Sequence, residues 1–114
     1  MKSEDVEYMN EVQRLMDEVI KFRDERDWAF HHNPKDLALS LSLEASELLE
    51  VFQWISSEEA LDTKKTEMEE ELADVLIYAL TFAHAAGIDV SKAIEDKLVK
   101  NAVKYPVLNT EDSR

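Results

Sequence analysis

The chain has 114 residues, 26 of them acidic and 13 basic, for a formal net charge of −13, with one glycine, two prolines and no cysteine. That length is one domain, and 45% apolar residues are enough for a core in spite of the charge. Without cysteine there are no disulfides, thiolate metal sites or cysteine nucleophiles. One glycine leaves too few turn residues for a many-stranded sheet, so an all-α fold is expected. The excess of acid disfavours long nucleic acids and anionic membranes as partners, because both are polyanions, and favours cations. The first ten residues carry no apolar signal core, and the longest apolar stretch, Val75 to Ala86, is shorter than the ~20 residues that span a bilayer. The expectation is a soluble, cytoplasmic protein with no membrane partner.

Four helices are expected, in chain order. The first runs from Asp5 to Arg26. Asn33 followed by Pro34 reads as an N-cap and first-turn proline, so a second helix begins at Pro34 and runs to Ser56. A third runs from Lys64 to Ala86 and is stopped by Gly87, which suits a left-handed C-terminal cap. The fourth, Val90 to Tyr105, is ended by Pro106. Short connections favour a four-helix antiparallel bundle, residues 1–114 forming one domain with 107–114 as a frayed tail. From Leu72 to Ala86 the third helix is apolar around most of its circumference, which implies burial on several sides and an oligomer interface.

With this many acids, spacing alone carries no message: seven i,i+3 acidic pairs occur, against the roughly six that random placement gives. Position on the helix decides. At about 100° per residue, Leu37, Leu41, Leu48, Val51 and Ile55 fall within roughly 60° of Glu44, which places that carboxylate on the apolar face. Glu47 lies one step round, beside Val51 and Trp54, with Glu50 further out. On the third helix Glu67, Glu71, Asp74 and Tyr78 share a stripe at the edge of the apolar arc. A hairpin of the two helices brings Glu44, Glu47, Glu71 and Asp74 to one small volume. A buried carboxylate must be paired or bind a cation, and four carboxylates without matching bases or histidines suit Mg2+, with Mn2+ as a substitute, better than zinc or a di-iron pair. The plainer reading is a set of solvated acids.

The last helix has the opposite character. From Lys97 to Thr110 there is no acid, and Lys97, Asn101 and Lys104 share a face. Such a stripe can hold phosphate; equally, lysines near a helix C-terminus complement the dipole. Trp28, Phe30, His31 and His32 crowd the first connection, and Trp54 ends the second helix. Aromatic faces beside a phosphate-and-metal site can stack a nucleobase, although such residues are often simple packing. There is no glycine-rich phosphate loop and no nucleophile elbow.

These residues carry a resemblance. Glu44-Ala-Ser-Glu47, then 23 residues, then Glu71-Leu-Ala-Asp74 resembles the Glu-x-x-Glu and Glu-x-x-Asp signature of the all-α nucleoside triphosphate pyrophosphohydrolases related to MazG. Glu25-Arg-Asp-Trp28, His32-Asn-Pro34-Lys35, Glu47-Leu-Leu-Glu50-Val-Phe-Gln-Trp54, Glu71-Leu-Ala-Asp74-Val-Leu-Ile-Tyr78 and Asn101-Ala-Val-Lys104-Tyr105-Pro106 are similar to the small dCTP pyrophosphatase branch. The resemblance implies a homodimer or homotetramer with sites partly between subunits. It also implies Mg2+-dependent hydrolysis of a (deoxy)nucleoside triphosphate to the monophosphate and pyrophosphate, dCTP-like substrates being favoured, as nucleotide-pool house-cleaning. Metal would be held by Glu44, Glu47, Glu71 and Asp74, phosphates by Lys97, Asn101, Lys104 and Tyr105, and the base by Trp28, His32, Trp54 and Tyr78. Where the dCTP-preferring branch offers a first-helix histidine to the base, this chain has Val19. Glu47 is the expected base for the attacking water, with Glu50 second. The alternatives are a phosphoribosyl-ATP pyrophosphohydrolase-like reaction and a non-catalytic helical oligomerisation module.

Overall fold

The computed structural model of the chain describes residues 11–108, which are all-helical, with no strand among them. Helix α1 (Glu11–Glu25) leads through a short 3-10 turn (Trp28–His31) to α2 (Pro34–Glu50). A seven-residue helix α3 (Ser57–Thr63) follows, then the long α4 (Lys65–Ala86) and α5 (Val90–Lys104). The expected start at Asp5 and the tail from residue 109 onward lie outside the described residues.

Local chemistry accounts for most of the boundaries. In α1, Arg14 pairs with Glu11 (2.6 Å) and, a turn further on, with Glu18, the i,i+3 and i,i+4 arrangement that supports an exposed helix. Asn33 caps α2: its side-chain oxygen accepts from the Asp36 amide at 3.0 Å, and Pro34 occupies the first turn. Asp89 does the same for α5, accepting from the Lys92 amide at 3.1 Å. Gly87 ends α4 at φ 68°, where its amide donates to the His84 carbonyl and the Ile88 amide to that of Ala83. That pair of bonds is the Schellman closure, which needs a left-handed residue.

The second helix is shorter than its hydrophobic pattern suggests, and the described residues form five α-helices where four were expected. After Glu50 the amides of Val51, Phe52 and Gln53 bond three residues back, to Leu48, Leu49 and Glu50. The ladder tightens, and Trp54 then turns out of it at φ 70°. Ser56, expected as the last residue of that helix, caps a new one, accepting from the Glu59 amide at 3.1 Å.

α2 and α4 form the principal contact, α1 packs on α4, and α5 touches α1. The buried stripe of α2 runs Leu37, Leu41, Glu44, Leu48 and on to Val51 in the following turn, and meets α4, whose own most buried residues are Thr81 and Ala83. Leu37 is 1% exposed. Leu37→Ala is therefore expected to lower stability by about 2–5 kcal/mol, through lost burial and the cavity left behind, as read from urea unfolding. α5 buries no residue within the chain, and between α4 and α5 the chain turns by 99°. No single helix among the described residues is long and apolar enough to cross a membrane.

Candidate functional site

The α2–α4 contact puts acids where most helix pairs put leucine. Glu44, half-buried on the core stripe of α2, Glu47 one turn on, and Glu71 of α4 each bring a carboxylate oxygen within 4.8 Å of the others. Burial, and after it the charges of Glu47 and Asp74, push the Glu44 carboxyl above its usual range. Burial also raises Glu71, followed by the charges of Glu47 and Asp74, a hydrogen bond with the Glu47 carboxyl that needs a shared proton, and the charge of Glu44. None of these four acids forms an ion pair among the described residues.

One atom tests whether the group fits a cation. Oε1 of Glu71 is sealed from solvent without a hydrogen-bond partner. Its neighbour is the Glu47 carboxylate, and an ionised carboxylate only accepts, so the two can bond only when one of them holds a proton and donates it. A buried, unpartnered carboxylate oxygen is costly, and a divalent cation satisfies it. With only oxygen donors and no histidine in the group, the residues fit a hard cation.

Asp74 also faces a second space. A groove of about 490 Å³ is lined by Glu18, Val19, Phe22 and Arg23 of α1, by Trp28 and His32, and by Asp74, Ile77, Tyr78 and Thr81 of α4. Trp28 stands edge-on to Phe22, with ring centroids 5.7 Å apart. His32 is held below its usual pKa, first by burial and then by the positive charges of Arg23 and His31. Its Nδ1 is buried and has no partner.

Of the residues singled out in the sequence, Glu44, Glu47 and Glu71 converge, Asp74 adjoins them, and Trp28, His32 and Tyr78 share the groove with Asp74. Others stand apart within the chain. Glu50 is an exposed residue at the end of α2, outside the three-carboxylate group. Trp54 is 91% exposed on the turn that follows and does not line the groove. Lys97 borders a different, apolar hollow between the end of α4 and α5. Asn101 is half-buried on α5, and Lys104 lies over the Tyr105 ring at 5.3 Å. Lys97, Asn101, Lys104 and Tyr105 all follow the 99° turn, and none of them lines the groove or joins the carboxylate group.

Glu18, Phe22, Arg23, Ile77 and Thr81 line the groove without having been singled out from the sequence. For Arg23 there was a signal. Val12, Met16 and Val19 step along α1 at intervals of four and three, and Arg23 takes the next place on that inward face.

Helices that bring carboxylates to one point beside an aromatic groove define a class of all-α proteins whose site lies between helices. The particular family follows from comparison: the chain matches the MazG-like family over residues 39–114, and it belongs to that family. It is 36% identical over 104 residues to dCTP pyrophosphatase 1 of Rattus norvegicus, covering 87% of this chain and 59% of that one. Against the Homo sapiens protein of the same name the identity is 35% over 103 residues, covering 86% and 59%. The chain thus spans about three fifths of the length of these curated relatives. A crystal structure of a pyrophosphatase from Archaeoglobus fulgidus is 46% identical, with a TM-score of 0.80 over 86% of this chain and 94% of that one.

Proposed function

We propose that the chain is a nucleoside triphosphate pyrophosphohydrolase dependent on Mg2+, with Mn2+ as a substitute, and that dCTP-like substrates are among those it accepts. The observation that carries this reading is Asp74, which belongs both to the surroundings of the carboxylate cluster and to the wall of the aromatic groove. A ligand with a flat ring at one end and a metal-binding polyanion at the other fits that adjacency. The relatives named as dCTP pyrophosphatase and pyrophosphatase support it.

A cation held by Glu44, Glu47, Glu71 and Asp74 would neutralise the triphosphate and polarise its α-phosphoryl group. The chain's own residues do the rest. Trp28 and Tyr78 offer aromatic surface to the base, and the groove walls exclude water from it. Glu47 is the exposed member of the cluster, so its carboxylate can accept a proton from a water attacking the α-phosphorus. The water oxygen forms the new P–O bond, the bond from that phosphorus to the bridging oxygen breaks, and pyrophosphate leaves. Near-normal turnover in Glu47→Gln at saturating Mg2+ would remove Glu47 from that role.

We also read the working form as a homo-oligomer, dimer or tetramer. Leu39 and Leu43 of α2, Leu72 and Leu76 of α4, and Ile94, Leu98 and Val103 of α5 are all exposed in the single chain, more apolar surface on helix faces than a monomer usually leaves in water. A second copy covers it and gives the α5 lysines and Trp54 a route to a neighbouring site.

The test is pyrophosphate release from a panel of nucleoside triphosphates with Mg2+, alongside sedimentation. Release from one or more supports the reading. Release from phosphoribosyl-ATP alone transfers it to that reaction, and silence across the panel leaves a binding or oligomerisation module.

A further inference from the structure

We propose that Arg23 selects the nucleobase, by offering the free end of its guanidinium to two adjacent acceptors on the base edge; this rests on the nucleotide reading of the groove given above. An arginine is out of place where it stands. It follows Val12, Met16 and Val19 on the inward face of α1, its side chain is 13% exposed, and it lines the groove beside the aromatic residues. Its pairing leaves its recognition edge open. Nε and Nη2 both donate to a single oxygen of Asp24, at 3.0 and 2.8 Å. A guanidinium has five N–H donors, so the end-on fork, Nη1 together with the second hydrogen of Nη2, remains uncommitted among the described residues. Asp24 holds the plane of the group and neutralises part of its charge without covering that fork.

The position along the groove separates a base contact from a phosphate contact. Arg23 lines the groove together with Phe22, Trp28 and His32, whereas Glu44, Glu47 and Glu71 form their own group and do not line it. Arg23 therefore stands at the aromatic end of the site, outside the three-carboxylate cluster that would hold the metal and the triphosphate. His32 adds a buried Nδ1 with no partner at the same end. An end-on fork requires two acceptors side by side. Cytosine presents them as O2 and N3 and guanine as O6 and N7, whereas adenine sets its N6 amino donor beside N1 and N7, and thymine sets N3–H between O2 and O4. The substrate class is thus a triphosphate of a base with paired acceptors.

The experiment compares dCTP, dGTP, dATP and dTTP on the intact protein and on Arg23→Gln and Arg23→Lys. Two readouts are taken: pyrophosphate release, and binding followed by tryptophan fluorescence with Mg2+ present. The wild type should favour dCTP or dGTP, and which of the two leads tells whether a pyrimidine or a purine edge is read. In Arg23→Gln the preferred substrate should lose about 10- to 100-fold in kcat/KM, mainly through KM, while dATP and dTTP change by less than about threefold. Arg23→Lys, which keeps the charge and loses the fork, should lose the ranking as well. An unchanged ranking in both variants overturns the proposal, as does an equal loss on all four nucleotides, which would make Arg23 a phosphate or scaffold residue. The two readings fail separately. Pyrophosphate release with a ranking indifferent to Arg23 sinks only the selection role, and Arg23-dependent ranked binding without pyrophosphate release sinks only the hydrolysis.

Discussion

Replacing Glu71 by glutamine is expected to reduce pyrophosphate release by roughly a thousandfold or more, because a metal ligand's contribution to stabilising phosphoryl charge is several kcal/mol. The less obvious half of the result concerns stability. In the metal-free protein Glu71 is one of several like charges, and its buried Oε1 has no donor. An amide of the same shape removes a charge from that group and can donate to the Glu47 carboxylate. Metal-free Glu71→Gln should therefore melt no lower than metal-free wild type, while failing to gain the wild type's stabilisation on adding metal. Calorimetry with EDTA and with Mg2+ checks both halves. A variant that is inactive and also markedly less stable without metal would mean that Glu71 holds the fold together and that its loss of activity says little about a cation.

The second large effect is the response of the wild type itself. A ligand that binds only the folded state stabilises by about 2.7 kcal/mol at 100 times its Kd, and for a domain of this length that is roughly 10 °C in Tm. Saturating Mg2+ or Mn2+ should produce a rise of that order, and Ca2+ or Na+ at matched ionic strength should distinguish site binding from screening of the −13 net charge. The pH dependence follows from the sign of the shifts. Glu44 and Glu71 have folded-state carboxyls raised above 4.5, so between that value and their raised values the folded chain holds more protons than the unfolded one. Their contribution is favourable below about 4.5 and is lost as pH rises through the raised range. In EDTA, stability should accordingly fall on going from mildly acidic to neutral pH, and that slope should flatten in Glu44→Gln. A slope equal in wild type and variant would show that these acids are not what the metal relieves.

What could be read from the sequence was what depends on one residue's local chemistry or on a regular period. Asn33 with Pro34 and the lone Gly87 mark helix ends because capping needs only the side chain or φ freedom of a single residue. Glu44 stood out because an acid in a 3.6-residue apolar rhythm is an anomaly at any composition. The cap at Ser56 was not read, because the apolar pattern through Val51 and Ile55 runs on to it as one helix. What the pattern does not contain is the left-handed Trp54, which closes the tightened turn after α2, and the 99° turn after α4. Both are tertiary outcomes. A periodic stripe says which residues share a face of one helix and nothing about where that helix points, so the Lys97–Asn101–Lys104 face was visible while its direction was not. Arg23 shows the reverse case: its place on an inward face was in the spacing, and only the groove gives that place a meaning.

Asp74 has one more consequence. A side chain that borders the carboxylate cluster and also walls the groove cannot respond to one occupant without altering the other's surroundings. Coupling between two ligands is reciprocal: whatever factor the cation applies to the affinity for the organic ligand, that ligand applies to the affinity for the cation. If the proposed metal and nucleotide both bind, the free concentration of divalent metal sets how much nucleotide the protein holds, and the nucleotide sets in the same proportion how firmly the metal stays.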